Sequence, residues 1–431
     1  MTAVPSPLPG AGSVATVSKP RVCPSRRRGR ASTSLVESDI TTEGAATFVF
    51  VNHTAETFTS TASGAVATYI YECCRAAASI GEQPWVISRS ADAAAFDWPT
   101  LRLIDYPRRP QGWLGEQLTR VQRKTIGLPR LGQRAWADRV ARAVREVAGS
   151  RATLLLHNDP EVAVYLRAAL PDARIVHLFH NPQPAREPFR SRVADAVDEF
   201  LAVSDFIGDR VAESYGLPRD RVRTVYAGVA SDVIRPPAWR EGVPVIGFVG
   251  RTGIEKAPDV VLKAALKLCE RTTEFGVQIV GSNHWDRYEE DDYQRELNAL
   301  ADELAARGVR VERPGHVGRQ ELPRWLQRSS IHVLPSRWDE PFALTVLEGM
   351  AAGNALVATR TGGTPEEVGD AGQLFERDDV EQLANLLERL VLDASEREKW
   401  AQRARERAES FTWARTYRQL RGADDPAEPK A

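Results

Sequence analysis

From residue 46 onward, short apolar runs alternate with longer stretches of helical periodicity. "TFVFVNH" leads into "AVATYIYECCRAAASI", and "PWVISRS", "ATLLLHND", "ARIVHLFHN", "EFLAVSD" and "RVRTVYAG" follow with helical stretches between them. Short Val/Ile/Leu-rich runs without polar alternation predict strands buried on both faces, the mark of a parallel sheet built from βαβ units. Around 235–244 "RPPAWREGVP" breaks the pattern with prolines and predicts a linker. The alternation then restarts with "VPVIGFVG", "GVQIVGS", "RVERPGHV", "SIHVLPS", "NALVATR" and "GQLFE". From Val380 to about Leu420 the spacing of Leu and Arg predicts a long helical stretch whose end crosses back to the first domain.

The expected fold class is therefore α/β, with two consecutive Rossmann-like doubly wound parallel-sheet domains facing a cleft. The expected boundaries are an N-terminal domain over 46–236, a second domain over 237–405 and a C-terminal helix over 406–422, with disordered segments at 1–45 and 423–431. A length of 431 residues is too great for one ordinary core and suits two. The first 45 residues are rich in Ser, Pro, Gly and Arg, without a secretory apolar region.

Composition removes several classes of function. The apolar fraction is 42%, the charged fraction 27% and the formal net charge -1, so no global field points to nucleic acid. Locally, residues 101–150 carry eleven Lys or Arg against four Asp or Glu, with Trp113, Leu114, Ile126 and Leu128 interleaved. The stretch 108–134 reads either as a basic amphipathic surface for peripheral contact with an anionic membrane or as a pair of solvated Arg-rich helices. No apolar run reaches the length of a membrane span. Cys23, Cys73, Cys74 and Cys269 show neither metal-ligand spacing nor a disulfide framework, which fits a reducing, cytoplasmic setting.

In open parallel sheets, ligands bind beyond the carboxyl ends of the strands. His180 and Asn181, Gly250 and Arg251, Gly281, and Ser336 all fall at predicted strand ends. His157 ends another strand and competes with His180 for the cleft. "GFVGRTGIEKAPD" is neither a Walker A loop nor a dinucleotide fingerprint, and what remains is a glycine followed by Arg251 and Lys256 before a helix. Two cations there suit a diphosphate, Arg as a fork and Lys as a point charge. "TRTGGTPEEVGDAG" supplies a second glycine loop with Gly362 and Gly363.

"DEPFALTVLEGMAAG" reads as a core helix with two acids, Glu340 standing just before it and Glu348 lying inside it. On one helix, eight residues would separate them by about 12 Å, too far for the paired carboxyls of a glycoside hydrolase. The spacing suits the two ends of a long ligand with the helix N-terminus between them. The acidic run "EEDDY" at 289–293 reads as a solvated loop, so no metal is expected.

These residues carry a resemblance. "EPFALTVLEGMAAG" resembles the E-x7-E signature of the GT-B retaining glycosyltransferases of family four, the glycosyl transferases group 1. "FVGRTGIEKAPDVVLKAA", "IHVLPSRWDEPF", "TGGTPEEVGDAG" and "RTVYAGVASDVIRP" are similar to the neighbouring segments of that family, and the likeness spans about 46–422. The resemblance implies that Glu340 holds hydroxyls of a donor sugar and Glu348 the ribose. It implies that the amides of Leu344 and Thr345 meet the distal phosphate, with Gly250 and Gly281 lining the donor site and Arg251 and Lys256 neutralising the diphosphate. His180 matches a first-domain histidine near the transferred sugar, and Gly64 a glycine loop near the phosphates. Ala343 and Ala257 stand where the family usually has glycine, and Ser63-Gly64 replaces a glycine pair. The alanines are expected to matter little.

The implied activity is retaining, metal-independent transfer from a nucleotide diphosphate-sugar, UDP- or GDP-linked, to a saccharide, lipid-linked or small-molecule hydroxyl, in polysaccharide, glycolipid or glycoconjugate biosynthesis. The donor is a substrate, so no cofactor is expected. The rival readings are a GT-B phosphorylase, a nucleotide-sugar epimerase, or a silent scaffold of the same fold.

Overall fold

The computed structural model describes residues 46–59, 64–91, 93–106, 131–238, 242–283 and 290–422. Most of the basic stretch 108–134 and both terminal segments lie outside the described residues. No helix among those described is long and apolar enough to cross a membrane.

The first parallel sheet uses β1 (Phe48–Val51), β2 (Trp85–Arg89), β3 (Leu101–Ile104), β4 (Thr153–His157), β5 (Arg174–Phe179), β6 (Glu199–Ala202) and β7 (Val222–Thr224) in the order β3-β2-β1-β4-β5-β6-β7. Its helices are α1 (Ala65–Ser79), α2 (Leu131–Val147), α3 (Pro160–Ala169), α4 (Phe189–Ala196) and α5 (Asp205–Tyr215). β3 escaped the sequence pattern for a physical reason. It is an edge strand whose Arg102 and Leu103 are exposed, so it lacks the apolar run that marks its neighbours.

The second parallel sheet joins β8 (Val245–Val249), β9 (Gly276–Val280), β10 (Arg310–Gly315), β11 (Ile331–Leu334), β12 (Ala355–Thr359) and β13 (Gln373–Phe375) in the order β10-β9-β8-β11-β12-β13. Around it lie α6 (Pro258–Leu268), α7 (Asp292–Ala306), α8 (Leu322–Arg328), α9 (Leu344–Ala351), α10 (Thr364–Val368), α11 (Val380–Leu392) and α12 (Ala394–Ala408). Alternate strand residues feed cores on opposite faces: Ile246, Phe248, Val333 and Val357 pack on one side. Val249, Leu334, Leu356 and Ala358 pack on the other. The two parallel-sheet α/β domains expected from the pattern are present.

Two expectations fail. The stretch from Val380 to Leu420 is three helices, the last being α13 (Trp413–Leu420). Asp393 ends the first and caps the second, accepting from the Ser395 and Glu396 amides, and Thr412 caps α13 through Arg415 N. The acidic run at 291–292 opens α7 instead of lying in a loop: Asp291 accepts the Gln294 amide at 2.7 Å.

Trp413, Tyr417 and Leu420 of α13 pack into the core of the first sheet, and Tyr417 donates to Glu82 at 2.7 Å. The strand order reverses at β1/β4 and at β8/β11. Those reversals are where diverging loops leave a crevice beyond the strand ends.

α9 lies tight on β11. A Cβ at Gly349 would come within 2.5 Å of the His332 ring, which is wholly buried. Gly349→Ala gains helix propensity but overpacks this contact, for a net loss of about 1–3 kcal/mol. Thermal unfolding reads the loss, and adding His332→Ala is expected to restore part of it.

Candidate nucleotide-sugar site

The loops after β8 and β11 flank the second reversal. Gly250 ends β8, and a Cβ at Gly281 would run into the Gly250 carbonyl, so the end of β9 can approach only because Gly281 has no side chain. Its φ of 133° adds the backbone reason. The β8 loop turns at Gly253, whose carbonyl receives the Lys256 and Ala257 amides. The amides of Arg337 and Trp338 donate to Glu255 O and tie this loop to the one after β11. Ala257 is in the left-handed region at φ 53° and is fully buried. Left-handed alanine costs about 1–2 kcal/mol, and burial of its methyl returns roughly 0.8.

Thus held, Lys256 directs Nζ at both oxygens of Glu340, at 2.6 and 2.8 Å. Glu340 is 2% exposed, and Ser336 Oγ also donates to its Oε1. Lys256 retains 22% of its side-chain surface. Arg251 pairs with Glu255 at 2.9 Å, both residues being partly exposed. A third cation, Arg337 in the loop after β11, is held by Asp259 through two bonds of 2.9 and 2.8 Å and by Asp378 at 2.6 Å. Burial raises the Asp259 carboxyl, but hydrogen bonds from Arg337, Tyr293 and Lys263 outweigh it and hold it at about 2.

Glu340 precedes α9, so the two acids do not share one helix. Gly362, at φ 54°, and Gly363 wrap the 339–341 segment so closely that a Cβ on either would strike the backbone of Glu340 or Pro341. Gly363 N donates to Glu340 O at 2.6 Å. Leu344 and Thr345 form the first turn of α9, where amides have no intrahelical acceptor. Glu348 is 3% exposed and accepts from Arg319 at 2.6 Å through Oε1, while its Oε2 has no hydrogen-bond partner.

At the carboxyl ends of the central strands β4 and β5, His180 Nε2 lies 2.9 Å from His157 Nδ1. The Asn158 side chain accepts the His180 and Asn181 amides at 2.8 and 3.3 Å and fixes the chain there. His157 is fully buried behind His180, which keeps partial exposure, so His180 is the outer member of the pair. Gly64 precedes α1, and a Cβ there would collide with the Glu56 carboxyl. Glu56 accepts the Ala67 amide at 3.1 Å, so an internal carboxylate already meets the start of α1.

The structure therefore joins Lys256, Ser336 and Glu340 directly, while Glu348 pairs separately with Arg319. His180 and Gly64 belong to the opposite sheet. Arg319 and Glu367 escaped the sequence reading. Arg319 follows the end of β10, so the strand-end rule applied to "RVERPGHVGRQ" would have reached it. Glu367 shares a buried helical face with Thr364 and Val368, a signal visible in "TPEEV".

Comparison with known proteins defines first the class of fold. A glycosyltransferase from Rickettsia africae matches with a TM-score of 0.67 at 17% identity, covering 88% of this chain and 97% of that one. Sucrose-phosphate synthase from Thermosynechococcus elongatus matches with 0.67 at 20% identity, covering 88% and 98%. The fold is GT-B. The family model "Glycosyl transferases group 1" matches residues 231–407, and "Glycosyltransferase Family 4" matches residues 65–233. The chain belongs to the group 1 glycosyltransferases. Spore coat protein SA of Bacillus subtilis is 28% identical over 308 residues, 66% of this chain and 81% of that protein. A D-inositol 3-phosphate glycosyltransferase of Nocardioides sp. is 32% identical over 262 residues, and the match spans 56% of this chain and 56% of that relative's length.

The histidine cluster makes stability depend on acid. Burial first, and then the charges of neighbouring histidines, push His177 and His180 down to about 3 and His157 well below its ordinary 6.5. Protons bind the unfolded chain first, so stability is lost progressively as pH falls from about 6.5 towards 3. The slope is at most about 1.4 kcal/mol per pH unit for each histidine. Urea midpoints between pH 7.5 and 5 measure it, and His177→Phe is expected to make the decline shallower.

Proposed function

We propose that the chain transfers a sugar from a nucleotide diphosphate-sugar to a hydroxyl acceptor with retention of anomeric configuration. The observation that carries this reading is the free Oε2 of Glu348. A carboxylate oxygen buried without a donor calls for a ligand hydroxyl, and a ribose supplies one. On this reading Glu348 holds the ribose, and Arg319 keeps its carboxyl aimed. Glu340, fixed by Lys256 and Ser336, meets hydroxyls of the donor sugar at the other end of the α9 N-terminus.

The barrier is charge separation at the bond between the anomeric carbon and the phosphate. As that bond breaks, Lys256, Arg251 and the Leu344 and Thr345 amides stabilise the charge developing on the leaving diphosphate. The departing phosphate takes the acceptor proton, so no carboxylate nucleophile is needed. His180 lines the opposite wall near the transferred sugar, and closure of the two domains excludes water and favours transfer over hydrolysis. The chemistry needs no metal or cofactor. The pathway is polysaccharide, glycolipid or glycoconjugate synthesis in the cytoplasm, with a UDP- or GDP-sugar as donor. The acceptor is a saccharide, a lipid-linked species or a small hydroxyl compound such as the inositol phosphate named for the Nocardioides relative.

Product analysis after incubation with UDP- and GDP-sugars tests the reaction. Free nucleoside diphosphate with a lengthened acceptor supports transfer, whereas sugar 1-phosphate or an epimerised donor would reassign the chain. Glu348→Gln is expected to weaken nucleotide binding about tenfold by calorimetry, and an unaltered affinity would sink the ribose role. Lys256→Ala removes a donor to the leaving group and is expected to lower kcat about 10²–10³-fold. Because that variant also strips a partner from buried Glu340, its melting temperature has to be measured alongside; a stable protein with full turnover would count against the assignment.

A further inference from the structure

The chemistry above gives no role to Glu367, a fully buried acid in α10 beside the site. Its Oε2 accepts the Ala343 amide hydrogen at 2.9 Å, while its Oε1 has no hydrogen-bond partner. Burial pushes its carboxyl well up, with nearby Glu340 and Glu366 adding to the rise and the Ala343 bond and Lys256 opposing it. The Ala343 amide thus finds its acceptor in Oε2.

Ala343 is the N-cap of α9 and its backbone is extended, at φ -99° and ψ 98°. A helix start usually carries a Ser, Thr, Asp or Asn whose side chain fixes it, but alanine offers no such group, and none caps α9. Ala343 O accepts Val346 N at 2.8 Å, so the residue that begins the helix is held from its amide side by Glu367 alone among the side-chain bonds described here. α10 is itself anchored: Arg407 donates to Glu367 O and to Glu366 O, each at 2.5 Å. A continuous chain of contacts therefore runs from α12 through α10 to the N-cap residue of α9, three positions after Glu340.

We propose that Glu367 is a positioning residue whose carboxyl holds the amide of the N-cap residue Ala343, as the glutamate of a capping box does, and so fixes the Leu344 and Thr345 amides and the Glu340 loop against the donor phosphate. The inference rests on the nucleotide-sugar reading for its ligand and on the structure alone for the clamp. It acts on binding, so its loss raises KM and leaves kcat nearly unchanged.

Glu367→Gln keeps an acceptor of the same shape, and Glu367→Leu keeps the volume without the acceptor. In the ligand-free chain, Glu367→Leu is expected to speed amide exchange at Ala343–Val346 about tenfold, while Glu367→Gln leaves it within twofold of wild type. With donor, Glu367→Leu is expected to raise KM about tenfold with kcat within twofold, and Glu367→Gln to match wild type. Unchanged exchange and KM in Glu367→Leu would overturn the proposal. So would Glu367→Gln speeding exchange at Ala343–Val346 and raising KM about tenfold over wild type, a result that reads out even if the leucine variant does not fold. If the wild-type chain turned over no nucleotide-sugar, the functional reading would fail while the exchange data still judged the clamp.

Discussion

Everything at the cleft depends on how the segment between β11 and α9 is immobilised, and backbone does this before charge does. Gly363 N bonds Glu340 O, the two glycines close over residues 339–341, and Thr359 Oγ1 reaches Ser336 O at 3.0 Å. A loop held on both sides in this way presents the Glu340 carboxyl at one fixed point. The Lys256–Glu340 pair can then form at 2.6 Å across 84 residues of sequence without ordering a flexible loop at the same time. Both partners also sit at the strand-order reversal of the second sheet, where the topology leaves the crevice.

What the sequence revealed follows the same physics. Central strands were legible because burial on both faces demands a continuous apolar run, as in "TLLLH" and "ALVAT". β3 was not, because an edge strand with Arg102 and Leu103 in solvent has no such demand. The break at Asp393 was hidden by the Leu and Arg spacing on either side, although an Asp followed by a helix-forming run is itself a cap signal. At the site, the glycine loops and strand ends pointed to Lys256, Glu340 and Glu348, because close backbone approach and topology leave local traces. The partners of those residues were illegible: Arg319 meets Glu348 across 29 residues and Glu367 meets Ala343 across 24, and nothing local encodes either distance.

The two domains are also stitched by a carboxylate. Glu366, one residue before the proposed clamp, accepts the Asp205 and Phe206 amides at 2.6 and 2.7 Å, while Ser204 Oγ takes Ile207 N. The first turn of α5 is thus capped jointly by its own serine and by an acid from the other sheet. Glu366 and Glu367 point in different directions from one short helix, the first to the opposite domain and the second to α9. α10 therefore couples the position of the α9 N-terminus to the position of the first domain.

That arrangement narrows where an anion can go. A helix N-terminus attracts negative charge through its unpaired amides and its dipole. At α1 the amide of Ala67 is taken by Glu56, and at α5 the first three are taken by Glu366 and Ser204. At α9 the only side chain engaged is Glu367, and it binds the amide of Ala343, one residue ahead of the first turn. Of the three, α9 is the helix whose leading amides are left for a ligand, with Lys256 beside them on Glu340. The Glu367 carboxyl, which would otherwise compete for them, is instead bound to the amide of Ala343. Filling the N-termini of α1 and α5 with the protein's own side chains is a more economical route to an anion site at α9 than adding cations, and Arg337 is itself taken up by Asp259, Asp378 and Ile254 O.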